Sequence, residues 1–306
     1  MLLASPLSAQ SGALFLVLPF GARSVGQGEA TVADSSLGTE GLWWNPAGAA
    51  RGSAREVTVH HSKTFGATSD MVAFMVPSRL LGTLSGAFYL VNYGQLPVTD
   101  DFGNQVGDAY THDYMAALSY ASAVGSRLSA GLTYKFIMVR FACSGQCGVT
   151  PVYSGSSSAL DLGAQYRVPA PIPLVIGASI RNLGPALPVK DNEQADPLPR
   201  VFQIGARTRI PTEFLKRNES SLDLMADYKA AAVFNGPAGG VGAVLGYRDE
   251  FFLRTGYHFQ PGGGSGPALG FGAVRGDLSI DLGMRFDEFS SQLGDTPTYI
   301  SLRVRF

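Results

Sequence analysis

From about residue 55 onward, the chain repeats one pattern in which apolar side chains alternate with small or polar ones until a cluster of Gly, Pro, Asn or Asp. Alternation of this kind predicts β-strands with one apolar and one polar face. In the clearest case, residues 160–168, Leu and aromatic positions alternate with Asp, Gly, Gln and Arg. Fourteen such strands are predicted, near residues 55–62, 69–77, 81–93, 109–122, 127–141, 157–168, 173–182, 200–210, 220–231, 239–248, 251–259, 267–275, 277–287 and 297–306.

Composition narrows what these strands can build. Charged residues make up 15% of the chain, whereas an ordinary soluble domain has about 25%. The chain also lacks the runs of about 20 apolar residues that a membrane-spanning helix needs. A net charge of −1 argues against nucleic acid as a partner. A soluble β-sandwich and a transmembrane β-barrel both remain compatible with this composition.

Three features favour the all-β transmembrane barrel, with about 14 antiparallel strands over residues 54–306, in the lipid bilayer of an outer membrane. An even strand count suits a single-chain bacterial barrel. Aromatic residues recur near strand ends, as in membrane-interface girdles. The polar faces carry many charges that a wet or plugged lumen tolerates: Lys135, Asp161, Arg167, Arg181, Arg207, Arg209, Asp223, Asp227, Lys229, Arg254, Asp281, Arg285, Arg303 and Arg305.

The final strand also carries an assembly signal. It ends on an aromatic residue and resembles the C-terminal signal read by the outer-membrane assembly machinery, which is therefore an expected partner. The residues assigned to this signal are Tyr299, Leu302, Val304 and Phe306.

The first 53 residues do not alternate. Residues 1–9 resemble the end of a secretory signal peptide with cleavage after Ala9, although the basic n-region is missing and a short unstructured terminus is the alternative. Residues 10–53 are expected to form a hatch, or plug, inside the lumen. Its candidate residues are Arg23, Trp43, Trp44, Asn45, Pro46 and Ala47.

Each hatch candidate has a physical reading. Asn45 before Pro46 predicts a tight turn, because Pro fixes φ and Asn bonds local backbone. Arg23 is expected to pair with an acidic lumen residue such as Asp161 or Asp223, and no spacing argument selects which one. The two tryptophans, residues 43 and 44, either anchor the hatch against the barrel wall or line an apolar pocket.

These residues also carry a family resemblance. Phe15-Leu16, Pro19, Gly21-Ala22-Arg23, Gly26, Gly28, Ala30, Ala33-Asp34 and Trp44-Asn45-Pro46-Ala47-Gly48 resemble the opening of the PorV/PorQ family of outer-membrane proteins. Asn45-Pro46-Ala47 is also similar to the hatch element of FadL-type barrels. The resemblance implies a 14-stranded barrel with an N-terminal hatch, and a role in type IX secretion with a translocon and secreted cargo as partners. FadL-type relatives instead pass hydrophobic small molecules.

These two functions predict different features. A secretion accessory would have a blocked lumen and would act through its outer loops. A channel would have an apolar pocket beside Trp43 and Trp44 and a break in a strand wall, for which Gly94 and Pro97 are the candidates. Long connections are expected at 94–108, 142–156 and 184–199. The second and third are the candidate partner-contact loops, with solvated loops of no function as the alternative.

The remaining polar motifs predict no chemistry. Cys143 and Cys147 are expected to form a short disulfide in an exported protein, with two free thiols as the alternative. The histidines (His60, His61, His112 and His258) fall on different predicted strands without a ligand cluster, so no metal site is expected. No cofactor motif or catalytic motif is present, and no enzymatic activity is expected.

Overall fold

The computed structural model describes residues 12–78, 80–146, 152–188, 195–210, 219–231, 233, 236–262, 264–288 and 296–306. Among them are sixteen strands: β1 Glu56–Thr64, β2 Ala67–Ser78, β3 Gly82–Thr99, β4 Gln105–Val124, β5 Leu128–Gly145, β6 Val152–Val168, β7 Leu174–Leu183, β8 Leu187–Pro188, β9 Ala195–Asp196, β10 Val201–Arg209, β11 Ser220–Ala231, β12 Ala238–Tyr247, β13 Phe251–Phe259, β14 Gly266–Arg275, β15 Leu278–Arg285 and β16 Thr298–Arg305. The signal-peptide range 1–9 lies outside the described residues.

Fourteen of these strands close into one antiparallel barrel, in which each strand pairs with its neighbour and β1 pairs with β16. All fourteen predicted strands are present, so the predicted fold is confirmed. The two short strands β8 and β9 pair only with each other, between β7 and β10. The alternating pattern did not reveal this pair, since each strand has two residues.

The barrel has an apolar outside and a polar inside, the reverse of a soluble protein. In β15, Leu278, Ile280 and Leu282 are exposed, whereas Ser279 and Asp281 are buried. The same division recurs around the barrel, and aromatic residues expected in the girdles lie on the outer face: Tyr120, Tyr247, Tyr257 and Phe259. Lipid is the solvent that such an outer face requires.

We call the end where β1 begins and β16 ends the terminus end, and the opposite end the loop end. The longest strands are β3, β4, β5 and β6, with 17 to 20 residues each. β3 pairs with β2 only as far as Asn92 and then continues to Thr99. Seven further residues at about 3.3 Å each extend β3 by roughly 20 Å. These four strands therefore project beyond the loop end.

This projection corrects two of the predicted long connections. Most of 94–108 is strand, and its turn is only Asp100–Asn104, held by bonds from the Phe102 and Asn104 amides to the Asp100 carboxylate. β5 runs to Gly145 and β6 begins at Val152, which leaves a short connection instead of 142–156. The third connection, 184–199, contains β8 and β9.

The described residues before β1, from residue 12 onward, form only short helical turns. α1 spans Ala22–Gly26 and α2 spans Gly41–Trp44, while 3-10 turns cover Leu14–Val17, Gly38–Glu40 and Pro46–Arg51. In the described ranges no helix is both long and apolar enough to cross a membrane. We call residues 12–53 the inner segment, because it is largely buried and contacts strands on opposite sides of the barrel.

Inward-facing glycines let the inner segment approach the wall. A Cβ at Gly256 would lie 2.5 Å from the Gln27 carbonyl carbon, and one at Gly131 would lie 2.5 Å from the Ala47 nitrogen. Both distances are shorter than any ordinary contact, so a side chain at either position would push the inner segment away. Other strand glycines face inner-segment backbone or side chains in the same way: Gly163, Gly177, Gly240, Gly242, Gly270 and Gly283.

Candidate functional site

One half of the lumen, formed by β10–β16, holds the inner segment by charge. Asp34 pairs with Arg207 at 3.1 Å, and Glu29 pairs with Lys229 at 2.8 Å and with Arg285 at 2.6 Å. The Thr31 and Val32 amides donate to the Asp227 carboxylate at 2.6 and 2.8 Å. A buried charge is tolerated when it is paired in this way. We call this half, β10–β16, the charged half.

These pairs alter the acidity of the inner segment's own carboxyl groups. Burial alone would raise the pKa of Asp34, but Arg207 and two hydrogen bonds from Ser36 lower it to about 2. Burial likewise opposes ionisation of Glu29, whereas Lys229 and Arg285 lower its pKa to about 2. Both groups are therefore carboxylates at neutral pH, and each binds its wall cation as a full charge.

On the other side of the lumen, β2–β6 carry a contiguous apolar cluster among buried polar residues such as Lys135 and Asp161, and we call the region of this cluster the apolar half. Here the inner segment presents Phe15, Leu16, Phe20 and Trp43 to Tyr89 and to small and aliphatic wall residues. All of these wall residues are buried: Ala67, Met71, Ala73, Val91, Met115, Ala117, Ile137 and Ala159. Leu187 of β8 and Leu198 join this cluster at the loop end. The cluster is thus an apolar region inside the lumen, bordered by wall, inner segment and the β8–β9 pair.

Aromatic rings form the centre of the apolar half. The Phe20 ring lies 4.9 Å from the Trp43 ring, 4.6 Å from the His60 ring and 5.5 Å from the Tyr89 ring, centroid to centroid. Phe15 stacks on Tyr89 at 6.2 Å. Offset and edge-to-face contacts of this kind add about 0.5–1.5 kcal/mol per pair beyond area burial. We call Phe15, Phe20, Trp43, His60 and Tyr89 the aromatic cluster.

Asn45, Pro46 and Ala47 fix the inner segment where it meets β5–β7. The Asn45 side chain accepts from the Ala47 amide at 3.1 Å and so caps the 3-10 turn that Pro46 begins. Its amide group donates to the Val32 carbonyl at 2.7 Å and to the Ala164 carbonyl of β6 at 3.1 Å. One side chain therefore joins two parts of the inner segment to the wall.

Arg23 pairs with an acidic lumen residue, as expected, but not with Asp161 or Asp223. Its guanidinium lies 3.7 Å from Asp281 of β15 and donates to the Ser36 carbonyl at 2.7 Å. Asp161 instead pairs with Lys135 at 2.6 Å, and Asp223 pairs with Arg207 and Arg209. Asp281 also pairs with a wall cation, Arg254, at 3.0 Å, so Arg23 adds to an existing ion pair on the wall.

The two tryptophans occupy different settings. Trp43 lies in the aromatic cluster, with the Lys135 ammonium 5.5 Å from its ring centroid. Trp44 lies between Arg181 and Lys229, at 5.0 and 4.9 Å, and its indole N–H donates to the Phe20 carbonyl at 3.2 Å. Trp44 is held by cations and a hydrogen bond, whereas Trp43 faces the apolar half.

A polar cavity of about 410 Å³ lies at the terminus end of the lumen, beside the inner segment. Its lining includes both charged partners from the inner segment and arginines from the wall, among them Arg23, Asp34, Arg207, Arg254, Asp281 and Arg303. The lumen therefore changes from polar at the terminus end to apolar beside the aromatic cluster.

The strand wall is continuous where a break was predicted. The β3–β4 ladder shifts register between Asn92 and Gln95, with Gly94 at φ +75°, but pairing resumes and Pro97 faces Asp108. A second irregularity, which sequence did not indicate, lies between β6 and β7. There Asn182 has φ +62°, and its amide donates to Asp161, the partner of Lys135.

The other predicted site residues lie outside the lumen's apolar half. Leu302, Val304 and Phe306 face outward, but Tyr299 is buried and its hydroxyl accepts from Thr64 at 2.9 Å. Cys143 lies near the projecting end of β5, and Cys147 lies outside the described residues, so their disulfide stays a prediction. Among the described residues, no group of three His, Cys, Asp or Glu side chains could hold a metal ion.

Sequence reasoning missed His60, Tyr89 and the apolar wall residues as parts of a site. Their signal was present in the alternation: Met71, Tyr89, Val91 and Met115 are large apolar residues on the face that elsewhere carries charge. Apolar residues on both faces of a strand indicate that part of the lumen is not wet.

Solved structures of hydrocarbon transporters share this fold. The toluene transporter TbuX of Ralstonia pickettii matches with a TM-score of 0.62 and 13% identity, over 94% of this chain and 98% of that chain. The chain has the FadL-type barrel fold. The toluene transporter TodX of Pseudomonas putida matches with a TM-score of 0.60, 11% identity and 94% and 97% coverage. A FadL homologue of Pseudomonas aeruginosa matches with a TM-score of 0.53 and 12% identity, over 94% of this chain and 98% of that chain.

No protein-family model and no curated protein matches the chain. No family match therefore supports the PorV/PorQ resemblance, whereas the FadL-type barrel is common to both readings of the sequence.

Proposed function

We propose that the protein is an outer-membrane channel for small hydrophobic molecules. The observation that carries this proposal is the apolar half of the lumen, where the inner segment meets β2–β6 through aromatic and aliphatic side chains. A water-filled pore would not place a contiguous cluster of apolar side chains on this part of the wall. Solved neighbours of the same fold are toluene transporters, which supports the same reading.

The division of the lumen gives the inner segment two roles. Its ion pairs to β10–β16 anchor it to the charged half, while its contacts with β2–β6 involve no ion pair that the described residues provide. Apolar contacts are non-directional. A hydrophobic molecule can therefore replace Phe15 or Phe20 against the wall while the charged anchor stays in place.

Uptake of p-xylene tests this proposal. Gram-negative cells without their own FadL-type barrel would express the wild-type chain or Val91→Asp, which places a charge in the apolar half. We expect the wild type to raise the initial uptake rate and Val91→Asp to abolish that rise. Val241→Asp, on the outer face, is the matched substitution and tests whether any lost uptake reflects membrane insertion instead. Equal uptake by cells with and without the wild-type barrel would refute the proposal.

Type IX secretion remains the second candidate. It is favoured by the PorV/PorQ-like residues of the inner segment and by the projecting ends of β3–β6, which offer protein partners a surface beyond the rim. Extraction from native outer membranes in mild detergent, followed by mass spectrometry, distinguishes the two. A very large barrel or cargo proteins with a shared C-terminal domain would favour secretion, and a lone barrel would favour the channel.

A further inference from the structure

Two polar atoms in the aromatic cluster lack a hydrogen-bond partner among the described residues. They are the indole Nε1 of Trp43 and the imidazole Nε2 of His60. Both side chains are almost completely buried, at 1% and 0% exposure. Leaving a buried polar group unpaired is destabilising, because the group has lost its bonds to water. Such groups therefore mark a place where a ligand would be stabilised by pairing with them.

The hydrogen-bond network fixes the role of each atom. The Ser301 hydroxyl donates its single hydrogen to the Glu40 carboxyl group at 3.2 Å, so it must accept from its other neighbours. One of them is Nδ1 of His60, at 2.9 Å, which therefore carries the imidazole hydrogen. A neutral imidazole with hydrogen on Nδ1 has a bare lone pair on Nε2. The aromatic cluster thus contains one unpaired acceptor, on His60, and one unpaired donor, on Trp43.

The donor and the acceptor belong to rings that share a neighbour. Phe20 packs against both Trp43 and His60, with centroid distances of 4.9 and 4.6 Å. The Phe20 ring is carried by the inner segment between the Leu14–Val17 turn and α1, so it is the side chain that a ligand could displace. The neighbouring tryptophan contrasts with Trp43, because the N–H of Trp44 is already bonded to the Phe20 carbonyl.

We infer that the preferred ligand of this channel is a small aromatic molecule bearing one hydroxyl group, that is, a phenol. This inference rests on the proposed function and specifies its substrate class. The aromatic ring replaces Phe20 among the rings of Trp43 and Tyr89. The hydroxyl donates to Nε2 of His60 and accepts from the N–H of Trp43.

Other hydrophobic molecules satisfy this pair less well. A pure hydrocarbon leaves both atoms unpaired. A carboxylate accepts from Trp43 but turns a second lone pair toward the acceptor on His60, which is repulsive. A hydroxyl is the smallest group that donates and accepts at once.

Affinities for p-cresol and p-xylene test the inference, since the two compounds differ by a hydroxyl in place of a methyl group. The protein would be measured in lipid nanodiscs, with empty nanodiscs correcting for partition into lipid. We expect wild type to bind p-cresol about tenfold more tightly than p-xylene, because p-cresol forms two hydrogen bonds that p-xylene cannot form.

Trp43→Phe removes the donor and keeps an aromatic ring, so the p-cresol preference should fall about fivefold. Trp44→Phe is the matched control: it removes an N–H that the protein itself satisfies, and it should change both affinities by the same factor. His60→Phe gives a second route if Trp43→Phe does not fold, as judged by the migration of unheated samples on gels.

The outcomes separate this inference from the proposed function. Equal affinities for the two compounds in wild type, or equal losses for both in Trp43→Phe, would overturn the phenol preference and leave the channel intact. Absence of binding by both compounds would overturn the channel as well.

Discussion

Asn45→Ala should release the inner segment without opening the barrel. The side chain is 2% exposed and makes three hydrogen bonds of 3.1 Å or less, with the Ala47 amide and with the Val32 and Ala164 carbonyls, and a longer one of 3.4 Å to the Ala178 carbonyl. At about 1 kcal/mol each, their loss costs about 3 kcal/mol. The strand ladders do not depend on Asn45, so this cost falls on the attachment of the inner segment.

Hydrogen exchange measures that attachment directly. A loss of about 3 kcal/mol raises the population of detached inner segment about 100-fold. We therefore expect amides of the 3-10 turn, such as Gly48 bonded to the Asn45 carbonyl, to exchange about 100-fold faster. Amides of the barrel strands should exchange at wild-type rates.

Asn92→Ala is the matched control, because Asn92 makes the same kind of local bond, from the Gly94 amide at 2.8 Å, outside the inner segment. It should leave the exchange of the inner segment unchanged. Unaltered exchange in Asn45→Ala would refute the claim that this side chain joins the inner segment to the wall. Faster exchange throughout the strands would show instead that the two parts unfold together.

Three further predictions concern the wall and its charges. Gly256→Val should displace the inner segment and speed hydrogen exchange of its backbone amides. Exchange of these amides at the wild-type rate would contradict the close approach between Gly256 and the inner segment. Lys135→Met leaves Asp161 buried without its cation and should lower the free energy of unfolding in urea by about 3–5 kcal/mol. Arg248→Met, which breaks the exposed pair with Glu219, should lower it by under about 1 kcal/mol. Similar losses for the two variants would be inconsistent with a buried Lys135–Asp161 pair. Because the pKa of Asp34 falls from 3.8 to about 2 on folding, its contribution of about 2 kcal/mol is present above pH 4 and lost as pH falls toward 2. Asp34→Asn should remove this loss of stability at acid pH. An unchanged dependence of the free energy of unfolding on pH in Asp34→Asn would argue against the ion pair between Asp34 and Arg207.

The strands were predictable because each alternates over its whole membrane-facing length, as in β15, where Leu278, Ile280 and Leu282 face outward. The projecting ends of β3 and β4 could not be predicted as strands, because Gly94, Pro97 and the Asp100–Asn104 turn resemble loop signals. Beyond Asn92, β3 pairs with β4 but has no pairing with β2. Proline is tolerated on such an edge, so Pro97 does not end the strand.

The site was only partly predictable. Asn45-Pro46-Ala47 is a local motif, and its turn depends on residues two positions apart. The partner of Arg23 depends on where α1 lies against β15, across more than 250 residues of sequence, and no spacing argument could select Asp281 over other lumen acids. The unpaired atoms of Trp43 and His60 depend on their neighbours in space and have no sequence signature.

Locating a hydrophobic molecule inside the lumen tests the central claim most directly. Crystals soaked with 4-bromotoluene would report its bromine by anomalous diffraction. The channel predicts a bromine peak in the apolar half, in contact with Phe20 or Tyr89. Peaks confined to the outer, lipid-facing surface would contradict it.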